Sequence, residues 1–416
     1  MIKLPRSAYV HIPFCHRRCF YCDFAVIPLG NKIESLEGFG SKTVKEYLTY
    51  LKKEILSIKH KSPLSTIYIG GGTPSILHPL QIKDLINLFK ESYKIDYGAE
   101  ITMEVDPASF NEDDLYGFIN AGINRFSLGV QSFNNQVLEQ AGRRHCSKDV
   151  EKSCFWLKRA YDHGLIKSWS LDLIQNLPRS GFKKWQEDLK QSLKFCPPHI
   201  SIYDLSIENG TVFKKLVDLG KLSLPNDDEA YKNSELTNFI LKASGYSRYE
   251  ISNYSIPGHQ SRHNRVYWKG LGWWSFGQGS TSSPWGENFT RPRISKDYKK
   301  WVTKQCEIKL EYSLINQENI YKELDEKIML GMRLKEGINI YKLLNEQNWD
   351  NKKSKIALTK LLKAWDPFLE SGLLIKRGNR FFLSDPKGME LSNQILVSMF
   401  KWWEKLNKSF SSHPFF

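Results

Sequence analysis

Ile101-Thr-Met-Glu-Val-Asp106, Arg125-Phe-Ser-Leu-Gly-Val-Gln131 and Ser168-Trp-Ser-Leu-Asp-Leu-Ile174 are three short β-rich runs, each followed by a helical pattern. Side chains alternate across a strand. Thr102, Glu104 and Asp106 therefore share one face, with Ile101, Met103 and Val105 opposite. The second run sets Arg125, Ser127, Gly129 and Gln131 against Phe126, Leu128 and Val130, and the third sets Ser168, Ser170 and Asp172 against Trp169, Leu171 and Leu173. A parallel strand covered by helices on both faces reads as almost continuously apolar. Here one face is polar in three successive units, which favours a barrel enclosing a polar ligand over a doubly wound open sheet.

Working outward, further strand-like runs lie at 7–12, 66–70 and 199–205, with helical patterns at 43–59, 79–92, 111–121, 148–163 and 181–194. Strands alternating with helices imply βαβ units and a parallel sheet. Six units are too few for a closed eight-stranded barrel, so the expected class is α/β, a (β/α)6 partial barrel. Two more helical patterns fall between 210 and 241, and an irregular stretch rich in Gly, Ser, Asn and aromatics occupies 246–285. Helical patterns return at 324–334 and 355–370. A hairpin over 372–377 and 380–384, closed by Gly378-Asn379, precedes a last helix over 387–406. That order suggests a winged-helix-like α+β module. The expected division is 1–245, 246–315 and 316–416, with the main boundary near 310–325.

A single core seldom grows beyond ~250–300 residues, so 416 residues suit one large and one smaller domain. Sixty Lys and Arg against 45 Asp and Glu leave +15, a balance that suits anionic ligands or nucleic acid, or a lysine-rich solvated surface. No run approaches the ~18 apolar residues of a transmembrane helix, and residues 1–6 lack the apolar core of a signal peptide. A transient contact with a membrane surface stays open. Seven cysteines are an odd number at low density. They argue against a secreted disulfide framework and for a reducing, cytoplasmic setting in which clustered thiols serve metals or catalysis.

The strongest chemical signal is Cys15-x-x-x-Cys19-x-x-Cys22, directly after the first strand. Three thiols in one short loop can wrap a metal or an iron–sulfur cluster without long loop closure. Structural zinc usually takes four ligands, and His11 and His16 are awkwardly placed for the fourth. Three ligands leave one iron of a [4Fe–4S] cluster open to a small molecule. Zinc, or buried thiols without metal, are the other readings of this spacing. Phe14, Phe20, Tyr21 and Phe24 would keep a cluster dry. Cys146, Cys154, Cys196 and Cys306 are scattered and read as ordinary buried residues.

Tyr9-Val-His-Ile-Pro-Phe-Cys15, with Cys19 and Cys22 at this spacing, resembles the radical S-adenosylmethionine superfamily, and within it the oxygen-independent coproporphyrinogen III oxidase group. The resemblance implies a (β/α)6 partial barrel and S-adenosylmethionine chelating the open iron through its amino and carboxylate groups. The reduced cluster then cleaves the sulfonium to a 5′-deoxyadenosyl radical. Gly70-Gly71-Gly72-Thr73-Pro74 matches the family element for the methionyl amino group. By the same resemblance Glu104, Tyr9 and Gly71 contact this S-adenosylmethionine. Gln131, Arg143 and Asp172, with Tyr21, Gly72 and Thr73, match contacts to a second one in the oxidase branch. The family has Gly where this chain has Asn176, which predicts a loop of different shape.

Two departures from the oxidase point to the heme chaperone branch of the group. Phe24 stands where the oxidase has a further cysteine, and few residues precede Tyr9. A third marker is His263-Asn-Arg-Val-Tyr-Trp268, preceded by Tyr249-Glu-Ile-Ser-Asn-Tyr254, which matches the His-Asn-x-x-Tyr-Trp element of that branch. Here the resemblance implies heme binding and delivery of heme to an acceptor protein. A neutral imidazole is a good axial ligand for heme iron, which makes His263 the candidate. Tyr267, Trp268, Trp273, Trp274 and Phe276 offer flat apolar area to a porphyrin, and Arg262 and Arg265 suit the propionates. A loop histidine bonded to its surroundings, with the aromatics packing one barrel mouth, is the plainer alternative. Two rival functions remain: a true coproporphyrinogen oxidase, and a radical enzyme acting on RNA. The second is disfavoured because no second cysteine cluster exists, so no nucleic acid partner is expected.

Overall fold

The computed structural model describes residues 4–30, 42–58, 61–308, 323–347 and 349–411. Six strands form a parallel series: β1 (Ser7–Ile12), β2 (Leu64–Gly71), β3 (Ile95–Val105), β4 (Arg125–Gln131), β5 (Ser168–Gln175) and β6 (His199–Asp204). Helices connect them, including Pro79–Tyr93, Glu112–Ala121 and Gly181–Lys194. The sheet stays open, as expected of a partial barrel. The sequence patterns place these elements to within a few residues. Residue 59, the predicted end of the first helix, lies outside the described residues; that helix is Lys42–Ser57.

Local chemistry sets the helix limits. Asn111 caps Glu112–Ala121 by accepting from the Asp114 N–H at 2.9 Å, and the Asp114 carboxylate accepts from the Asn111 N–H at 3.1 Å. The acidic first turn suits the helix dipole, and Gly122 ends the helix in the left-handed conformation. Strand alternation then sorts the faces. Ile67, Ile69, Met103, Phe126, Leu128, Trp169 and Leu171 point outward into a core shared with Ile82, Phe89, Phe118 and Trp185 of the helices. Thr66, Thr102, Ser127, Ser170, Asp172 and His199 are buried on the inner face, which is the polar interior that the sequence pattern predicts.

The stretch 246–302 departs from the expected separate, heme-facing segment. Trp274–Phe276 is a further strand, β7, paired in parallel with β1. Asn253–Ser255 and Ser247–Arg248 extend the other edge in antiparallel pairing beside β6. Tyr246, Tyr254, Trp274, Phe276, Trp285 and Tyr298 belong to the barrel's own core. Trp274 and Phe276 are fully buried and offer no face to a porphyrin.

The C-terminal module has a separate core of Ile328, Leu361, Trp365, Phe381, Met399 and Trp402. Its hairpin pairs Leu374–Arg377 with Arg380–Leu383, and Ile338–Asn339 adds a third strand. Arg248, itself buried, ties it to the barrel through Glu390 at 2.7 Å and Asp385 at 3.6 Å. The predicted boundary near 310–325 falls largely on 309–322, outside the described residues. Among the described residues no helix is long and apolar enough to cross a membrane.

Candidate cofactor site

The carboxyl ends of β2 to β6 open into a cavity of about 530 Å3. Barrel ligands gather at this end of the strands. Its wall brings together Cys15, Cys19, Cys22, Tyr21, Gly71, Gly72, Thr73, Glu104, Gln131, Arg143 and Asp172, residues that lie far apart in sequence. Two predicted site residues, Tyr9 and His263, are absent from that wall.

The cysteine loop is tied at both ends. Phe14–Cys15 pairs with Ile27–Pro28, the Leu29 N–H donates to the Cys15 carbonyl at 2.8 Å, and the Phe20 N–H donates to the Ala141 carbonyl at 3.0 Å. His11 Nε2 lies 3.1 Å from the Ala25 carbonyl oxygen. Burial pushes the Cys15 thiol up to about 12 and raises that of Cys22. Neither is a thiolate on its own account, so a bound cation or cluster would have to supply the compensating charge. Among the described residues no three His, Cys, Asp or Glu side chains converge as ligands of a single ion. The three thiols share a cavity, not a point, and in a cluster each sulfur takes a different iron. Cys146, Cys154, Cys196 and Cys306 do not line the cavity.

Close approach makes Gly72 a requirement. A Cβ there would sit 2.6 Å from the Phe14 carbonyl oxygen and 2.9 Å from Cys15 Sγ. Gly72→Ala is expected to lower the iron bound per chain after anaerobic reconstitution while leaving the far-ultraviolet circular dichroism unchanged. Full iron content in that variant would mean the cysteine loop can give way.

Opposite the cysteines, the Glu104 carboxylate accepts from the Gly71 N–H at 2.9 Å and from the Tyr68 hydroxyl at 2.9 Å. Burial outweighs both bonds, and nearby Asp172 adds to it, so Glu104 is raised to about 7. Asp172 accepts from Ser127 at 2.7 Å and Ser170 at 2.8 Å, and burial raises it too. Burial also acts on Asp106, but the Arg143 guanidinium and His145 overcome it and hold this carboxyl well below its usual range. Besides Asp106, Arg143 donates to the Gly129 carbonyl at 3.0 Å, to Cys19 Sγ at 3.3 Å and to the Tyr21 hydroxyl at 3.5 Å. Thr73 donates to Cys15 Sγ at 3.6 Å. The Phe24 backbone bonds to the Cys22 thiol, so each of the three sulfurs has a donor in place.

Gln131 takes φ +67° where the β4–β5 pairing slips by a residue, a strained conformation of the kind that collects at functional sites. Asn176 takes φ +66°, the left-handed conformation that glycine adopts readily, so the predicted change of loop shape is not needed to seat it. Its side chain donates to Asp204 at 2.6 Å and accepts from Asn233 at 2.8 Å.

His263 lies at the other end of the barrel, almost fully buried. Its Nδ1 is 2.8 Å from Thr66 Oγ1, and its Nε2 is 2.7 Å from the Tyr267 hydroxyl. Burial and then Arg125 lower it to about 3, so the ring is neutral but both nitrogens are engaged. In this conformation it is not an open heme ligand. Arg262 is exposed and donates to the Gly98 carbonyl, whereas Arg265 is paired with Glu336. Sequence reading missed Tyr68 altogether, although alternation from Thr66 to Gly70 puts it on the inner face.

Parallel strands that deliver three cysteines, a glycine turn and buried carboxylates to one barrel mouth define a radical S-adenosylmethionine protein, and residues 9–174 match the model of the Radical SAM superfamily. The chain belongs, more narrowly, to the heme chaperone HemW family. It is 36% identical over 411 residues to the heme chaperone HemW of Synechocystis, covering 95% of this chain and 97% of the relative. The Lactococcus lactis heme chaperone HemW is 32% identical over 399 residues, again 95% and 97%. That of Escherichia coli is 35% identical over 270 residues, covering 65% of this chain and 68% of the relative. Among solved structures, coproporphyrinogen III oxidase of Escherichia coli shares the fold with a TM-score of 0.75 at 22% identity, covering 95% of this chain and 90% of that one.

Proposed function

We propose that this chain is a cytoplasmic heme chaperone that holds a [4Fe–4S] cluster on Cys15, Cys19 and Cys22, binds S-adenosylmethionine beside it, and carries heme to an acceptor protein. The observation that carries the reading is the single cavity in which the three thiols face Gly71, Gly72 and Glu104. When bound and reduced, such a cluster supplies an electron to the sulfonium of S-adenosylmethionine.

The chain's own residues set what can bind. The Glu104 carboxylate, already fixed by Gly71 and Tyr68, suits a ligand ammonium group, and the Arg143 N–H bond suits a sulfur carrying negative charge. Gln131 and Asp172 line the same wall, where a second S-adenosylmethionine would lie. Iron ligation by His263 requires Nε2 to leave the Tyr267 hydroxyl.

Titrating heme into the anaerobic, cluster-reconstituted protein, with and without S-adenosylmethionine, tests this reading. The expected outcome is saturable heme binding with a shifted Soret band, and no protoporphyrinogen when coproporphyrinogen III and reductant are supplied. Formation of protoporphyrinogen would instead assign the oxidase activity.

A further inference from the structure

The helix Gly181–Lys194 turns Trp185, Leu189 and Ser192 inward, and with them Asp188, which is 2% exposed. A carboxylate on a core-facing position needs partners. Asp188 Oδ2 accepts from the Ser132 hydroxyl at 2.7 Å, and Oδ1 accepts from the Phe133 N–H at 2.7 Å. Burial raises Asp188 to about 6 against these two bonds, so at neutral pH it is a charged acceptor facing the loop that follows β4.

That loop carries a strained turn. The Ser132 N–H donates to the Val130 carbonyl at 2.9 Å, closing a γ-turn around Gln131 at φ +67°. A γ-turn with positive φ at its centre is the rare and strained form, and a residue other than glycine keeps it only where the surroundings over-determine it. Here several ties converge. His145 Nε2 lies 3.0 Å from the same Val130 carbonyl oxygen, and the Asn134 N–H donates to Ser132 Oγ at 3.0 Å. The Phe133 ring stacks on Phe195 with centroids 6.3 Å apart and planes at 5°. Asp188 grips two consecutive residues at once, and does so from a separate helix.

The turn bears directly on the cavity. It falls where the β4–β5 register slips between Gly129 and Gln131, and Gln131 lines the wall with Arg143 and Asp172. A Cβ at Gly129 would come within 3.1 Å of Gln131 Nε2 and 3.6 Å of Arg143 Nη2, so the amide lies over a bare stretch of strand beside the guanidinium. A side chain's direction follows its backbone, so release of the turn would re-aim that amide.

We propose that Asp188 is a positioning residue: by holding Ser132 and Phe133 it locks the turn at Gln131 and so aims the Gln131 amide at a polar group of S-adenosylmethionine in the cavity. The inference rests on the reading of this wall as part of the S-adenosylmethionine site. A carboxylate that lies behind the wall and touches no ligand thereby gains a part in binding one. The amide offers both a donor and an acceptor edge, so its direction decides which of them the ligand meets.

The test is a double-mutant cycle read by calorimetric titration of S-adenosylmethionine into the anaerobic, cluster-reconstituted full chain. Gln131→Ala removes the amide and should weaken binding about fivefold, the worth of one net hydrogen bond. Asp188→Leu keeps the volume, removes both acceptors and should weaken binding by a similar factor. Asp188→Asn, which keeps one acceptor, should fall between wild type and Asp188→Leu. In the Gln131→Ala background, Asp188→Leu should add no more than about twofold, because the group it aims is gone. A carboxylate that merely staples the loop would weaken binding by the same factor in both backgrounds, and that result overturns the positioning inference alone. Wild-type affinity in Asp188→Leu does the same. If Gln131→Ala binds like wild type, or if wild type takes up no S-adenosylmethionine, the reading of the wall fails and the inference with it. Ser132→Ala, which removes one of the two donors, runs the same cycle if Asp188→Leu does not fold.

Discussion

Cys19→Ser is expected to reduce the iron retained after anaerobic reconstitution from about four per chain to almost none and to abolish the broad charge-transfer absorbance near ~400 nm. The effect is large because two thiols cannot hold a cube that three hold with one corner open. Cys19 is only part-buried, and its sulfur accepts from the Arg143 guanidinium at the protein's cavity wall, so the fold should survive the change. Cys154→Ser makes the contrast. Cys154 is fully buried within the barrel core and away from the cavity, so its replacement should cost stability and leave the iron in place. Iron measured by colorimetry, beside a denaturation curve for each variant, separates the two. A Cys19→Ser protein that still carries its full iron would overturn the ligand assignment.

The parallel strands and their polar inner faces were legible because period-2 alternation records burial directly, and each strand's wall faced a helix of matching apolar pattern. Eleven of the predicted site residues meet in one cavity because strand ends, glycine turns and a cysteine loop are all local signals. The misplacements have a different origin. Trp274–Phe276 is a strand only because β1 offers it an open edge, and flanking glycines disguise a three-residue element that local sequence reads as loop. His263 has the residue type of a heme ligand, but residue type does not record depth. Ser261 starts a helix there, Glu100 receives its first amides, and the ring turns inward to Thr66. Tyr9 sits on the expected strand, its ring stacked on Tyr68 and its hydroxyl in the field of Glu104.

The second large effect falls in the stretch that looked like a porphyrin platform. Glu54, on the helix Lys42–Ser57, is 2% exposed and pairs with Arg291, also 2% exposed, at 2.8 Å. Its other oxygen accepts from the Gly277 N–H at 2.8 Å and the Tyr298 hydroxyl at 2.7 Å. Glu54→Ala strips all three donors at once and leaves a buried guanidinium without its counter-ion, a change that costs ~3–5 kcal/mol. Replacing both partners by apolar residues, Glu54→Leu with Arg291→Met, should recover the part of that loss due to the unpaired charge, while the Gly277 N–H and Tyr298 hydroxyl stay without their acceptor. The clamp also bears on the cofactor site. Gln278 beside it donates to the Arg293 carbonyl at 2.8 Å, and the Arg293 guanidinium reaches Asp23, next to Cys22, at 3.2 Å. Loosening Glu54 should therefore speed loss of the cluster to a chelator even at temperatures where the chain stays folded. Urea denaturation of the cluster-free protein reads the stability term, and iron release reads the second. A Glu54→Ala variant that loses under ~1 kcal/mol, the range of an exposed ion pair, would show that water reaches this site and that the 277–293 segment does not brace the cysteine loop.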